Sequence, residues 1–115
     1  MQVTRFVDAG RYDTKGHFEM AGLMLQGGQA SRTSGVLVSL SYFLPGGGAH
    51  RSASATEKIY VVLEGTVTLI TDEGEAALGA MDSCHLAPGE ARAIENRGNT
   101  VARMLVVVLP AREAP

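Results

Sequence analysis

Most of the candidate chemistry lies between Pro45 and Gly65, where the chain reads PGGGAHRSASATEKIYVVLEG. Residues two apart on an extended strand share a face. An extended 49–55 segment therefore sets His50, Ser52 and Ser54 on one side, and the next strand sets Lys58, Tyr60 and Val62 on one side. A histidine near neutral pH can act as a general acid or base. A lysine supplies a point charge, and partial burial lowers its pKa and opens amine chemistry such as Schiff-base formation. Gly46-Gly47-Gly48 is no phosphate loop, because neither the following Lys-Ser/Thr nor a helix is there.

The elements that must position these groups read as strands. GVLVSLSYFL (35–44) alternates Val38, Leu40 and Tyr42 against Ser39 and Ser41, and is expected to end at Pro45 and the three glycines. KIYVVLEGTVTLIT (58–71) reads as two strands joined by a tight turn at Glu64-Gly65, with a further turn over 72–75. Short strands follow at 82–87, stopped by Pro88-Gly89, and at 91–95, stopped by 96–99. The nearly all-apolar 101–109 closes the fold. HFEMAGLML (17–25) reads as an early strand, 27–35 as a loop, and the last five residues as a flexible, frayed tail. Strands separated by turns, without a helical period, predict one all-β domain over 1–115, a sandwich or barrel with its core at about 18–109.

These residues resemble the cupin superfamily, small antiparallel jelly-roll β-barrels. Its two motifs are G-x5-H-x-H-x(3,4)-E-x6-G and G-x5-P-x-G-x2-H-x3-N. The likeness rests on Pro45-Gly46, on Tyr60-Val61-Val62-Leu63-Glu64-Gly65, and on Pro88-Gly89 followed by Asn96. In the register without insertion, the family's metal-ligand positions fall on Ser52, Ser54, Lys58 and Arg92, and its leading glycine on Met81. Arginine stays protonated and cannot ligate, and a lysine ammonium repels a cation. A second register keeps His50 and Glu57 at the cost of one inserted residue.

The resemblance thus implies a jelly-roll barrel that has lost the usual metal centre and carries no cofactor. It also implies an interior holding His50, Ser52, Ser54, Lys58, Tyr60 and Arg92. That set suits a small anionic ligand, most simply a carboxylate gripped by the Arg92 fork. His50, Lys58 and Arg92 are the catalytic candidates, and Ser52, Ser54, Tyr60 and Arg92 the binding ones. Metal-independent acid–base chemistry next to a carboxylate is the expected reaction type. Two other readings stand beside it. His50, Glu57 and His85 form a two-histidine, one-carboxylate set for a divalent transition metal, as in an oxygenase. Alternatively the barrel is filled by side chains, and the protein is a non-catalytic dimerisation or binding module.

Plainer roles are also open. Glu57 and Lys58 can be surface residues at a strand start, and Arg92 can pair with Glu57 or Glu95. The serines can be loop residues, and His50 can be exposed. Cys84 points away from His85 and reads as core packing. His17 reads as a loop or edge histidine, and the five methionines as core filler.

Composition narrows the partners. Ten basic against twelve acidic residues, no tryptophan and no basic stripe argue against nucleic acid. A single cysteine allows no internal disulfide and points to a reducing, cytoplasmic compartment. No apolar run has the length of a signal core or membrane span, so no membrane partner is expected. By the resemblance, the protein is expected to be a homodimer that exchanges an N-terminal strand, with Met20 to Leu25 as the exchanged segment.

Overall fold

The computed structural model describes residues 1–111. A 3-10 turn at Phe6–Asp8 precedes β1 (Gly10–Tyr12), β2 (His17–Gln26), β3 (Leu37–Ser52), β4 (Glu57–Glu64) and β5 (Val67–Thr71). After these come β6 (Gly74–Leu78), β7 (Ser83–Leu86), β8 (Arg92–Glu95) and β9 (Ala102–Leu109). Every pairing among the described residues is antiparallel. The strands run β6-β5-β8-β3-β9-β4-β7, with β2 also beside β3 and β1 beside β2. The result is a nearly closed antiparallel jelly-roll barrel, as the resemblance implied. Among the described residues, no helix is long and apolar enough to cross a membrane. Of the expected frayed tail, 112–115 lie outside the described residues.

The Pro-Gly run does not end its strand, contrary to expectation. β3 continues to Ser52 and changes partner at the run: its first half pairs with β9 from Leu37 to Phe43, its second with β8 from Gly48. Proline has no N–H to give a ladder, so the change of partner is where it costs least. The glycines let backbones close in. A Cβ on Gly48 would lie 1.9 Å from the Ile94 carbonyl oxygen, and one on Gly47 2.2 Å from that of Glu19. Asn96 fastens the bend. Its Nδ2 donates to the Phe43 and Thr100 carbonyls, both at 2.9 Å, and its Oδ1 accepts from the Gly98 N–H at 3.0 Å.

Glu64-Gly65 also differs from a hairpin. β4 and β5 do not pair; the turn carries the chain from the β9–β4–β7 side to the β5–β8 side. Phe43, Val62, Val67, Ile94 and Met104 are fully buried between the two sides. Met1 and Met81 are exposed rather than core filler. Met20 to Leu25 are hydrogen-bonded to β3 of their own chain, so this segment is already partnered, and exposed apolar Val3, Phe6 and Val7 precede it.

Two substitutions test this backbone. Gly48→Ala should cost about 3 kcal/mol, since strand β8 must move to admit one methyl group. Met81 sits at φ 69° and is 75% exposed, where the cupin motif has its leading glycine. Met81→Gly should stabilise the fold by about 1 kcal/mol, relief of left-handed strain outweighing the added unfolded-state entropy. Urea midpoints at unchanged slope report both.

Candidate functional site

The barrel encloses a cavity of about 190 Å³. Met24, Leu37, Ile94, Met104, Val106 and Val108 form its apolar lining. The polar lining is Tyr12, Thr14, His17, Ser39, Ser41, Lys58, Tyr60 and Arg92. On β3 the serine side of the alternating pattern faces this cavity. Tyr12 Oη donates to Ser39 Oγ at 2.8 Å, which brings β1 into the wall.

Arg92, the first residue of β8, is 6% exposed. Its Nε donates to Tyr60 Oη at 3.1 Å. Its Nη1 donates to the His50 carbonyl at 3.2 Å and to Ser52 Oγ at 2.9 Å. All three acceptors are neutral. Among the described residues, no carboxylate lies within ion-pair range of Arg92 or Lys58. The candidate partners are engaged elsewhere, Glu57 with His85 and Glu95 with Arg97. Among the described residues Nη2 has no acceptor, and Arg92 lines the cavity. A buried charge with only neutral partners keeps much of its desolvation cost.

Lys58 and Tyr60 share the inner face of β4 and line the cavity. Lys58 Nζ donates to Ser54 Oγ at 2.5 Å, and Ser54 also meets Thr56 at 2.7 Å. Burial, and then the Arg92 charge, lower the Lys58 pKa. Burial raises that of the Tyr60 phenol, with Arg92 opposing, so Tyr60 stays protonated at neutral pH. Ser54 itself lies past the end of β3, exposed, and touches the site only through Lys58.

Two irregularities decide which histidine faces inward. Along the β3–β8 pairing, Ala49 opposes Ile94 but Ser52 opposes Arg92, so β3 holds one extra residue. Such a bulge breaks the alternation. Ala49 and Ser52 therefore share the inner side, and the expected common face of His50 and Ser52 does not form. The His50 ring is exposed and packs on Phe18, ring centroids 4.6 Å apart. On β2, Glu19 has φ 47° at a matching register shift. Met20 and Met24 face inward, and beyond Glu19 it is His17 that lines the cavity. His17 Nδ1 donates to the Lys15 carbonyl at 3.2 Å, leaving Nε2 as acceptor. Burial is the main reason its pKa is lowered; the Lys15 bond opposes, and Arg92 adds to the lowering. The imidazole on the cavity is thus His17, which the motifs gave no reason to choose. Tyr12, Ser39 and Ser41 were also missed, although the Ser39/Ser41 alternation on β3 could have flagged a polar inner face.

The alternative metal set does not assemble. Lys58 faces in, so Glu57 and Ile59 face out, and His85 pairs across from Ile59. Glu57 Oε2 and His85 Nε2 meet at 2.6 Å on the outer face, and among the described residues no three His, Cys, Asp or Glu side chains come together to share an ion. Among the described residues the cavity offers one imidazole, neutral oxygens and two cationic side chains, with no carboxylate or thiolate. That donor set does not fit a divalent transition metal. Cys84, half-buried, packs against the core, and burial raises its thiol pKa.

The chain matches the family model "Cupin domain" over residues 39–108. A protein of Mycobacterium tuberculosis named beta-D-galactosidase is 43% identical over 108 residues, 94% of this chain and 93% of that protein. Among solved structures, a polyketide cyclase from Streptomyces resistomycificus superposes with TM-score 0.84 at 20% identity, covering 100% of this chain and 82% of that one. A predicted oxalate decarboxylase from Thermotoga maritima superposes with TM-score 0.80 at 24% identity, covering 95% and 98%. At these identities the two structures speak for the fold alone.

Tyr60→Phe tests the Arg92 cradle. It removes the acceptor of a buried guanidinium N–H, so stability should fall by about 1–3 kcal/mol in urea denaturation. An unchanged midpoint would mean that Tyr60 does not hold Arg92.

Proposed function

Because this chain belongs to the cupin family, by the family model over 39–108 and a relative 43% identical across 94% of its length, we propose that its barrel cavity processes a small sugar. The proposed substrate class is a β-D-galactoside, the class in the relative's name, and the reaction is hydrolysis of the glycosidic bond. One observation carries the reading: Ser39, Ser41, Tyr12, Tyr60, Lys58 and Arg92 line a cavity whose other wall residues, Thr14 and His17 apart, are apolar. A sugar ring offers the matching surface, a hydroxyl rim around C–H faces.

The usual glycosidase scheme needs two carboxylates flanking the bond. Among the described residues no Asp or Glu lines this cavity, so other groups take those parts. The Lys58 ammonium, its pKa lowered by burial and by Arg92, protonates the glycosidic oxygen as its bond to the anomeric carbon breaks. Neutral His17 Nε2 takes the proton from the water that attacks the anomeric carbon. Arg92 Nη2 and the hydroxyls hold the ring. Both ends of the pH profile follow. Activity falls as pH drops through the lowered His17 pKa, because the base is protonated, and as pH rises through the lowered Lys58 pKa, because the acid is lost.

A second reading rests on the Arg92 cradle. Arg92 and Lys58 bring positive charge to the cavity with no counter-charge in range among the described residues, which favours an anionic ligand such as a carboxylate. Hydrolysis of a chromogenic aryl β-D-galactoside, with thermal shifts by galactose and by malonate, separates the two. Under the first reading Lys58→Met cuts turnover about 100-fold or more and keeps the galactose shift. Unchanged turnover in that variant removes the first reading, as does no galactose shift in the unaltered chain. A malonate shift that vanishes in Arg92→Gln supports the second.

A further inference from the structure

Outside the barrel mouth lies a second cavity of about 500 Å³. Tyr12, Met24 and Leu37 line both it and the inner cavity, so the two adjoin across these side chains. Its outer wall is the N-terminal segment, through Val3, Arg5 and Asp8, and the loop residues Gly28, Gln29 and Ala30. That wall is fastened. Gln2 Oε1 accepts the Arg32 N–H at 2.8 Å, tying the segment to the loop. Within the loop, Ser31 Oγ accepts from the Gly27 N–H at 2.9 Å and donates to Gln26 Oε1 at 2.6 Å. Tyr12 stands between the cavities with its ring against Gly22, where a Cβ would come within 2.8 Å of it, and its hydroxyl on Ser39.

The inner cavity of about 190 Å³ is smaller than the roughly 300–1,000 Å³ usual for small-molecule sites. It has room for one ring and little beyond it. The outer cavity has an apolar floor at Met24 and Leu37, and Arg5, Arg11 and Gln29 among its polar lining. Among the described residues, neither arginine nor Asp8 is held in an ion pair, so their hydrogen-bonding groups remain available. Apolar floor and polar rim repeat the character of the inner cavity.

We propose that the outer cavity is a second sugar subsite, and that the preferred ligand is a galactosyl disaccharide or longer chain rather than a single galactose unit. This rests on the galactoside reading of the inner cavity. The ring on the non-reducing side enters the barrel, and the ring across the glycosidic bond lies between the N-terminal segment and the 28–30 loop. Specificity for the leaving side is then set by residues that belong to neither cupin motif.

Titration calorimetry with galactose and with lactose in its S-linked form, a β-galactosyl disaccharide that is not hydrolysed, tests the subsite. The unaltered chain should bind lactose at least about tenfold tighter than galactose. Ala30→Trp fills the outer cavity from its loop wall and should bring lactose down to the galactose level with galactose affinity unchanged. Gln29→Trp, at an exposed loop position, is the second variant should the first fail to fold. Equal affinities in the unaltered chain, or equal losses for both sugars in the tryptophan variants, overturn the outer subsite while leaving the inner reading intact. Failure of either sugar to bind the unaltered chain overturns the inner reading and the subsite with it.

Discussion

The bend of β3 at Pro45–Gly48, fastened by Asn96, is the constraint on which the rest of the barrel depends. β3 pairs with β9 before the bend and with β8 after it. One strand thereby joins the two sides of the fold. The buried Asn96 amide ties three backbone groups from both sides of that junction. Each would otherwise be a polar group whose burial costs free energy. The motif asparagine is therefore accounted for by backbone satisfaction at a corner, independent of any ligand. The glycines beside it are accounted for by how closely β2 and β8 approach.

From this corner follows the placement of Arg92. β8 begins opposite Ser52, just past the bulge that the bent strand carries. The guanidinium enters a wall built of a phenol, a hydroxyl and a carbonyl. Such a wall holds a cation in position without neutralising it. In the cupin pattern, the positions now occupied by Lys58 and Arg92 would carry metal ligands. Here those two positions bring cationic side chains, fixed to the barrel, to the cavity wall.

The two register shifts have a chemical consequence. Each moves one residue out of alternation, and together they exchange the imidazole that faces inward. His17 gains burial and a lowered pKa, while His50 is spent on a surface ring contact. An acid–base pair drawn from the motif stretch alone would thus include His50, whose ring does not line the cavity. His17 joins Lys58 on the wall only because β2 runs beside the same bent strand.

By itself the sequence determined the architecture. Apolar β-branched runs punctuated by turns, with Tyr60 to Gly65 and the Pro88-Gly89…Asn96 spacing, are local patterns, and local patterns survive without coordinates. They also indicated that motif positions had changed from ligands to Lys58 and Arg92, since identity needs no geometry. Tertiary structure alone decided the facing. Side-chain alternation has a period of two, so one extra residue at a bulge inverts every assignment beyond it. Nothing in AHRSAS or HFEMAG marks where that extra residue falls. The electrostatic character of Arg92 was hidden for a related reason. Glu57 and Glu95 are near it in pattern, yet their outward placement, with His85 and Arg97, leaves the guanidinium among neutral groups. Pairing across the barrel is a property of which strands meet, and that is settled only when β3 turns its corner.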